Sequence, residues 1–544
     1  MSRFGPALLL LASLWYPISR IIELHLTLTG SCEESLGYRY FYSLRLLYDA
    51  NGYVFLPQGH LMDLVHQTVQ LFLTWIGFSP YLVFPRIDLF SYISIAFAHL
   101  LAALAFYNLS SSIATLPARI AVLCAVLVPF FNVPISGFNV ILEPDYMLWI
   151  LPLMLVAASS AIGVVTGDFI PWTQRDSWTL AGLVTAALGL KATLLIYPIS
   201  FSVVLLVSRK GLKSSFIQAV TATVLGVLGW LLVLLIYYHG HWDSLIRYFD
   251  DEARFGSSVR PDASYLPWLR AQMIGGHWLV KCSVLLPPAL LLLLAMSRSR
   301  SRVGLILGVL AGALMYHFFL FFRDTPVTWF EAANFTVFAV ILFSFAPVLQ
   351  SPSLTAKLAM GIVALAAATQ VFDGVRYMHR YFIPYLVSLN HAQAEAAAAL
   401  APYHDRIAFL TPDNSYRTLT IDSAVFKGGS NILEGPFFGK SALIRAIYPN
   451  RWYFTEPPDA YAASPIDLRP YEAVVFVVRK GLDPEPAGQL ALMKKHYGPA
   501  LSSLTLRHNI DFGSQEFLVW EVNQSKQVSL TEKAPSLGRT ALGH

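Results

Sequence analysis

Glu33 and Glu34 stand side by side in Ser31-Cys-Glu-Glu-Ser35, just after the first long apolar run of the chain. Adjacent carboxylates at a membrane surface can take a proton from a hydroxyl or hold a metal. The plain alternative is an acid pair in a solvated loop. A second acidic pair, Glu143-Pro-Asp145, sits where one apolar run gives way to the next. Pro144 bends the chain between the two carboxylates, and oxygen ligands so placed suit a divalent cation, magnesium or manganese. Acids this close to hydrocarbon are costly and tend to mark function. N-capping of the following helix is the competing reading.

Cations are the natural counterpart. Lys191 interrupts the apolar stretch Ala187 to Ile196. A lysine there must face water, a partner or an anion such as a lipid phosphate, or else snorkel to the interface. The segment 239–280 carries Arg247, Asp250-Asp-Glu252, Arg254, Arg260, Arg270 and His277 among Trp242, Tyr248, Tyr265 and Trp268. That mixture suits sugar and phosphate contacts, and it also suits an ordinary interfacial loop. Arg323-Asp324 closes a later apolar run, with His317 inside it as a packed or water-facing residue. Gly435-Pro-Phe-Phe-Gly-Lys-Ser441 is one residue short of a phosphate loop. Asn334-Phe-Thr336 fits a glycosylation sequon but opens an apolar run.

The elements that must position these groups follow from composition. Of 544 residues, 56% are hydrophobic and 13% charged, where a soluble domain has about 25% charged. That indicates a polytopic membrane protein and excludes disordered, collagen-like and disulfide-scaffold classes. The net charge of +5 is small and scattered, which argues against nucleic acid. Cys32, Cys124 and Cys282 are the only cysteines; they allow no disulfide framework, and no Cys/His cluster has zinc spacing. Met1 to Leu14 lacks a small-x-small cleavage site, and the apolar run continues through Pro17. It reads as a retained span.

About eleven apolar runs are expected to span: 6–27, 87–108, 118–136, 145–165, 178–190, 192–208, 216–238, 281–297, 303–322, 329–349 and 356–373. Most are long enough to cross a ~30 Å core. The fifth and sixth are the shortest and are parted only by Lys191, so they read as two half-length helices or a tight hairpin. With the N-terminus inside, Arg3, Arg175, Arg209-Lys210/Lys213, Arg298/Arg300/Arg302 and Lys357 all fall on the cytoplasmic side. Dropping one span near Lys191 would reverse both basic clusters, which supports the hairpin. Three segments then lie outside: 28–86, 239–280 and everything after about 374. In the first, Tyr38 to Tyr48 and Leu61 to Ile76 read as interfacial helices.

The C-terminal part is polar. Short apolar strands are expected at Arg406–Leu410, Ala473–Val478 and Phe517–Val522, with a helix from Ala487 to His496 between the last two. Strand, helix and strand form a small α/β domain. The organisation is therefore a transmembrane domain over 1–373, an extracytoplasmic α/β domain over 374–523 and a polar, disordered tail over 524–544.

The outline over about 6–373 resembles the GT-C class of membrane glycosyltransferases. The resemblance rests on Glu33-Glu34 after the first span, the long loop with two interfacial helices, Glu143/Asp145 near the fourth span, and Gly182 to Lys191 running into Leu-Gly-Leu-Lys. The protein O-mannosyltransferase and aminoarabinose-transferase branches are closest in architecture. Glu-Glu stands where the mannosyltransferase pattern usually has Asp-Glu, and the Trp-Trp-Asp motif of oligosaccharyltransferases is absent. The resemblance implies transfer of a sugar from a polyprenyl-phosphate carrier to an extracytoplasmic acceptor, a lipid, glycan or protein. Glu33 or Glu34 would act as the base, and Lys191, Arg270 and Arg323 would bind the donor phosphate. Glu143 and Asp145 would form a second acidic or metal site. Single displacement would invert the anomeric centre. The bacterial inner membrane is the expected location. A lipid-linked glycan polymerase or ligase, and a lipid or solute transporter, are the alternatives; the Lys191 break is the feature that fits transport.

Overall fold

In a computed structural model, the protein is described over residues 60–77, 87–110, 115–128, 150–158, 171–258, 265–275, 278–297, 300–322 and 353–377. It is also described over 401–403, 407–410, 472–479, 504–511 and 515–522, with a few isolated positions besides. The first expected span, the helix at 38–48, most of 329–349, the helix at 487–496 and the tail lie outside the described residues. The described chain is mostly helical and divides into two compact units.

The first unit takes in 55–72 and 88–383. Its helices are α1 (Leu61–Trp75), α2 (Ile87–Ser110), α3 (Leu116–Leu127), α4 (Gln174–Leu190), α5 (Ile196–Ser208), α6 (Leu212–Tyr237), α7 (Trp242–Ser258), α8 (Tyr265–Gly275), α9 (Trp278–Met296), α10 (Arg300–Phe322) and α11 (Leu354–Tyr377). Within α6, α10 and α11, the segments Leu212–Tyr237, Arg302–Phe319 and Lys357–Tyr377 are long and apolar enough to cross a membrane. Only 22% of the most apolar window of α6 is buried inside the protein. Phe216, Val220, Val224, Leu228 and Leu232 stand exposed along it, an outer face that suits lipid. The expected loop at 239–280 contains two helices, α7 and α8.

The segment around Lys191 is a hairpin. α4 starts from a capping box: Thr173 accepts from the Asp176 N–H, and the Asp176 carboxylate accepts from the Thr173 N–H. The same carboxylate meets Arg209, at the far end of α5, at 2.9 Å with almost no exposure of either side chain. Pro171 and Lys210 pair through the backbone beside it. The two limbs therefore begin and end together. At the closed end, Lys191 is extended, followed by a 3-10 turn over Ala192–Leu195. Its N–H donates to Ala187 and its carbonyl accepts from Leu194, so both backbone groups of Lys191 are paired at the break.

Small residues let the neighbouring helices close on this hairpin. A Cβ on Gly308 of α10 would lie 2.7 Å from the Ser200 carbonyl of α5, and one on Gly226 of α6 would lie 2.7 Å from the Ala181 carbonyl of α4. Gly304 and Gly312 continue the stripe on α10, against Ser208 and Ile196. Small-xxx-small spacing is how helices pack where lipid removes the hydrophobic drive. Thr185 fastens the α4–α6 contact by donating to the Gly226 carbonyl at 2.9 Å.

The second unit contains a four-stranded sheet, in the order β1 (Ile407–Leu410), β2 (Ala473–Arg479), β4 (Gln515–Val522), β3 (Leu504–Asp511). β1 and β2 are parallel, Ile407 opposite Ala473; β2 and β4 are antiparallel, Val475 opposite Val519. The strands expected near 406, 473 and 517 are all present. β3 is an additional strand, paired antiparallel to β4 with a bulge between Leu506 and His508. Leu518 and Val519 are both fully buried, so the central strand is covered on both faces.

Two predictions follow from the packing. Gly308→Leu would drive a side chain into the α5 backbone and is expected to abolish the sharp folded peak in detergent size exclusion. Gly361→Leu, where a Cβ meets nothing within 4 Å, should leave that peak unchanged. Asp176→Asn strands Arg209 and is expected to cost about 3–5 kcal/mol, against about 1 kcal/mol for loss of the Thr173 cap in Thr173→Ala. Thermal melts of the two variants should preserve that order.

Candidate functional site at the hairpin tip

Lys191 forms the tip of the α4–α5 hairpin and is 4% exposed. By residue count α4 is about 25 Å long, and the 3-10 turn with α5 about 28 Å. Each limb falls slightly short of a ~30 Å hydrocarbon core, which puts Lys191 near headgroup depth if the hairpin enters a bilayer. A buried ammonium requires a counter-charge or hydrogen-bonding partners.

α6 runs parallel to α4 and is longer, about 39 Å by residue count, so its end stands beyond the tip. Tyr237 and Tyr238 close α6, and His239 (φ 51°) and Gly240 (φ 80°) reverse the chain in left-handed conformations. Gly takes that conformation freely, and His is among the side chains that tolerate it. The reversal starts α7 and brings Tyr248 back against the end of α6, its ring 6.0 Å from Tyr238.

α1 completes the tip. Leu61 packs on Gly189, where a Cβ would come within 3.0 Å of the leucine Cβ. His60, just before α1, is enclosed. Its ring stacks on Tyr237 at 4.3 Å, meets Tyr238 edge-on at 5.4 Å and lies 5.0 Å from Tyr248. His60 Nδ1 is 3.0 Å from Asp63 Oδ2, and Nε2 is 3.1 Å from the Tyr238 hydroxyl. The carboxylate can only accept, so it takes the Nδ1–H and leaves Nε2 to accept from Tyr238. Tyr248 in turn donates to Glu252 at 3.3 Å. Burial, then the Glu252 carboxylate, and more weakly Asp63, hold the Tyr248 phenol well above its usual range. It therefore remains a neutral donor.

A second feature lies on α8. Leu266, Pro267, Arg270, Ala271 and Ile274 line a hollow of about 540 Å³. One guanidinium at the rim of an otherwise apolar hollow suits an amphiphile with an anionic head. Tyr265, at the start of the same helix, bonds His317 of α10 at 3.0 Å. His317 is thus a packed residue with a tyrosine partner.

Of the residues expected from sequence to carry chemistry, Lys191 and Arg270 are described. Glu33, Glu34, Glu143, Asp145 and Arg323 lie outside the described residues. Among the described residues no three His, Cys, Asp or Glu side chains converge where a metal could sit. The cluster at His60 was not anticipated. Its signal in sequence is polar residues at 60, 63 and 67 on one face of an otherwise apolar helix. No protein-family model matches this chain, and a search of curated proteins finds no match to it.

Proposed function

We propose that this protein is an integral-membrane glycosyltransferase that moves a sugar from a polyprenyl-phosphate carrier to an acceptor hydroxyl outside the cytoplasm, with inversion. The observation that carries the reading is Lys191, a buried lysine at the tip of a helical hairpin. A fixed ammonium in a site poor in water stabilises charge far better than one in solution. The leaving group of such a transfer is a phosphate, and it needs that stabilisation more than it needs a proton. The Arg270 hollow supports the same reading, with room for apolar chain beside a cation. The helices α6, α10 and α11 are consistent with insertion in a membrane.

In this mechanism the donor tail lies along the apolar outer faces and its phosphate reaches Lys191, with Arg270 and Arg323 as further cations. Glu33 or Glu34 takes the acceptor proton as the hydroxyl oxygen attacks the anomeric carbon. The bond from that carbon to the phosphate oxygen breaks, and its electron pair leaves with the phosphate. The C-terminal region, outside the cytoplasm in this topology, recognises the acceptor or docks a partner. The bacterial inner membrane is the proposed location, with the N-terminus inside and about eleven spans. A transporter is the second reading, favoured by the non-helical break at Lys191 in an apolar hairpin.

Mass spectrometry of envelope lipids, glycans and proteins, from cells with and without the gene, tests the assignment. One species should lose a fixed sugar mass when the gene is removed. Glu33→Gln with Glu34→Gln should reproduce the loss at normal protein levels, and Lys191→Met should reduce transfer by about 100-fold or more. Full transfer in the double glutamine variant would reject the carboxylate as base. An unchanged envelope would turn the reading to transport.

A further inference from the structure

α7 has three sides. At about 100° per residue, Ser244 and Tyr248 fall on one side and are buried, with the Tyr248 ring 5.0 Å from His60. Asp243, Arg247 and Asp250 fall on a second side and stand exposed, as charged residues do in water. The third side is apolar. Trp242, Ile246 and Phe249 recur there at i, i+4 and i+7, within an arc of about 60°. They are 62%, 60% and 39% exposed. Ala253 continues the stripe and is exposed as well.

Packing fixes where this stripe lies. α6 is parallel to α4, Gly226 meeting Val184 and Gly229 meeting Thr185. α10 is antiparallel to α5, Gly304 meeting Ser208 and Gly312 meeting Ile196. Both spans therefore end on the side of the hairpin tip. α7 begins just after α6, at the His239–Gly240 reversal, and it folds back along the span. The Phe249 ring meets Trp230 of α6 edge-on at 6.1 Å. Trp230 is two turns before the end of α6, or about 10 Å along its axis. The stripe is thus held beside the last turns of a membrane span, where hydrocarbon gives way to headgroups. Tryptophan is enriched at that boundary, and a helix with separate apolar and charged sides lies in its plane.

We infer that α7 is a membrane-docking helix. Trp242, Ile246 and Phe249 enter the bilayer leaflet on the hairpin-tip side, while Asp243, Arg247 and Asp250 stay among headgroups and water. The occupant of the stripe is lipid, because the Phe249–Trp230 contact makes the stripe continuous with a helix apolar enough to span. Tyr248 lies on the buried side of the same helix, so the bilayer backs the aromatic enclosure of His60. The inference needs membrane insertion alone and stands apart from the transferase reading.

The test uses full-length protein in phosphatidylcholine vesicles, with Cys32, Cys124 and Cys282 replaced by serine and a nitroxide attached at one new cysteine. Oxygen concentrates in hydrocarbon and a charge-neutral, water-soluble nickel chelate stays in water, so their collision rates with the nitroxide report its surroundings. Ile246→Cys should favour oxygen. Its oxygen-to-nickel ratio should exceed that of Arg247→Cys by about 10-fold, as for an apolar face sunk ~5–10 Å into the boundary. Trp242→Cys repeats the measurement at a second exposed position and keeps the test open if Ile246→Cys folds poorly. Equal ratios on the two sides would put the stripe in water and overturn the docking helix. An immobile spectrum shielded from both reagents would overturn it too, because a second copy or another segment of the chain would then cover the stripe. Neither result bears on sugar transfer, which the envelope comparison tests separately.

Discussion

The contact between Asp176 and Arg209 governs the first unit. Both charges are taken out of water, and each is compensated by the other at 2.9 Å. Their pairing joins the start of α4 to the end of α5. The limbs are then forced to turn back within the apolar layer, and the turn falls on Lys191. The chain leaves Arg209 directly into α6, which follows α4 on its glycine face and ends in the tyrosines that enclose His60. One ion pair at the open end thus sets where a buried lysine lies at the closed end.

The second constraint is where α1 keeps its polar residues. His60, Asp63 and Gln67, toward its start, are buried, while Leu71, Phe72 and Trp75, toward its end, stand exposed. Exposed apolar side chains of this size suit hydrocarbon. The same logic applies to α6 and α11, whose exposed residues are large and apolar. The interior thereby becomes the only place where polar chemistry is affordable, and Lys191 and the His60 cluster are found there.

Much of this was legible in sequence. A lone lysine between two short apolar runs, with basic residues at the far end, predicts a turn at Lys191, because neither run can bury the charge alone. The three apolar strands of the sheet follow from their β-branched runs. β3, Leu-Thr-Leu-Arg-His-Asn-Ile-Asp, was missed because its side chains are largely polar and its pairing with β4 comes from the backbone. α7 was missed because its acids and arginines read as a solvated loop. Its apolar residues Leu245, Tyr248 and Phe249 show their common side only once Tyr248 is seen against His60. The Asp176–Arg209 pair spans 33 residues, and no local pattern signals it. The acids at 33, 34, 143 and 145 stay where the sequence reading left them, as a proposal about chemistry.

The most direct measurement follows the phosphate. Purified full-length protein is reconstituted into vesicles with a lipid extract of the producing cells, and the polyprenyl carriers are weighed before and after incubation. The account predicts that a sugar-bearing carrier is converted to free polyprenyl phosphate while an acceptor gains the same sugar mass, and that Lys191→Met stops both changes together. A carrier that keeps its sugar, whether it stays in place or moves between leaflets, would contradict the account.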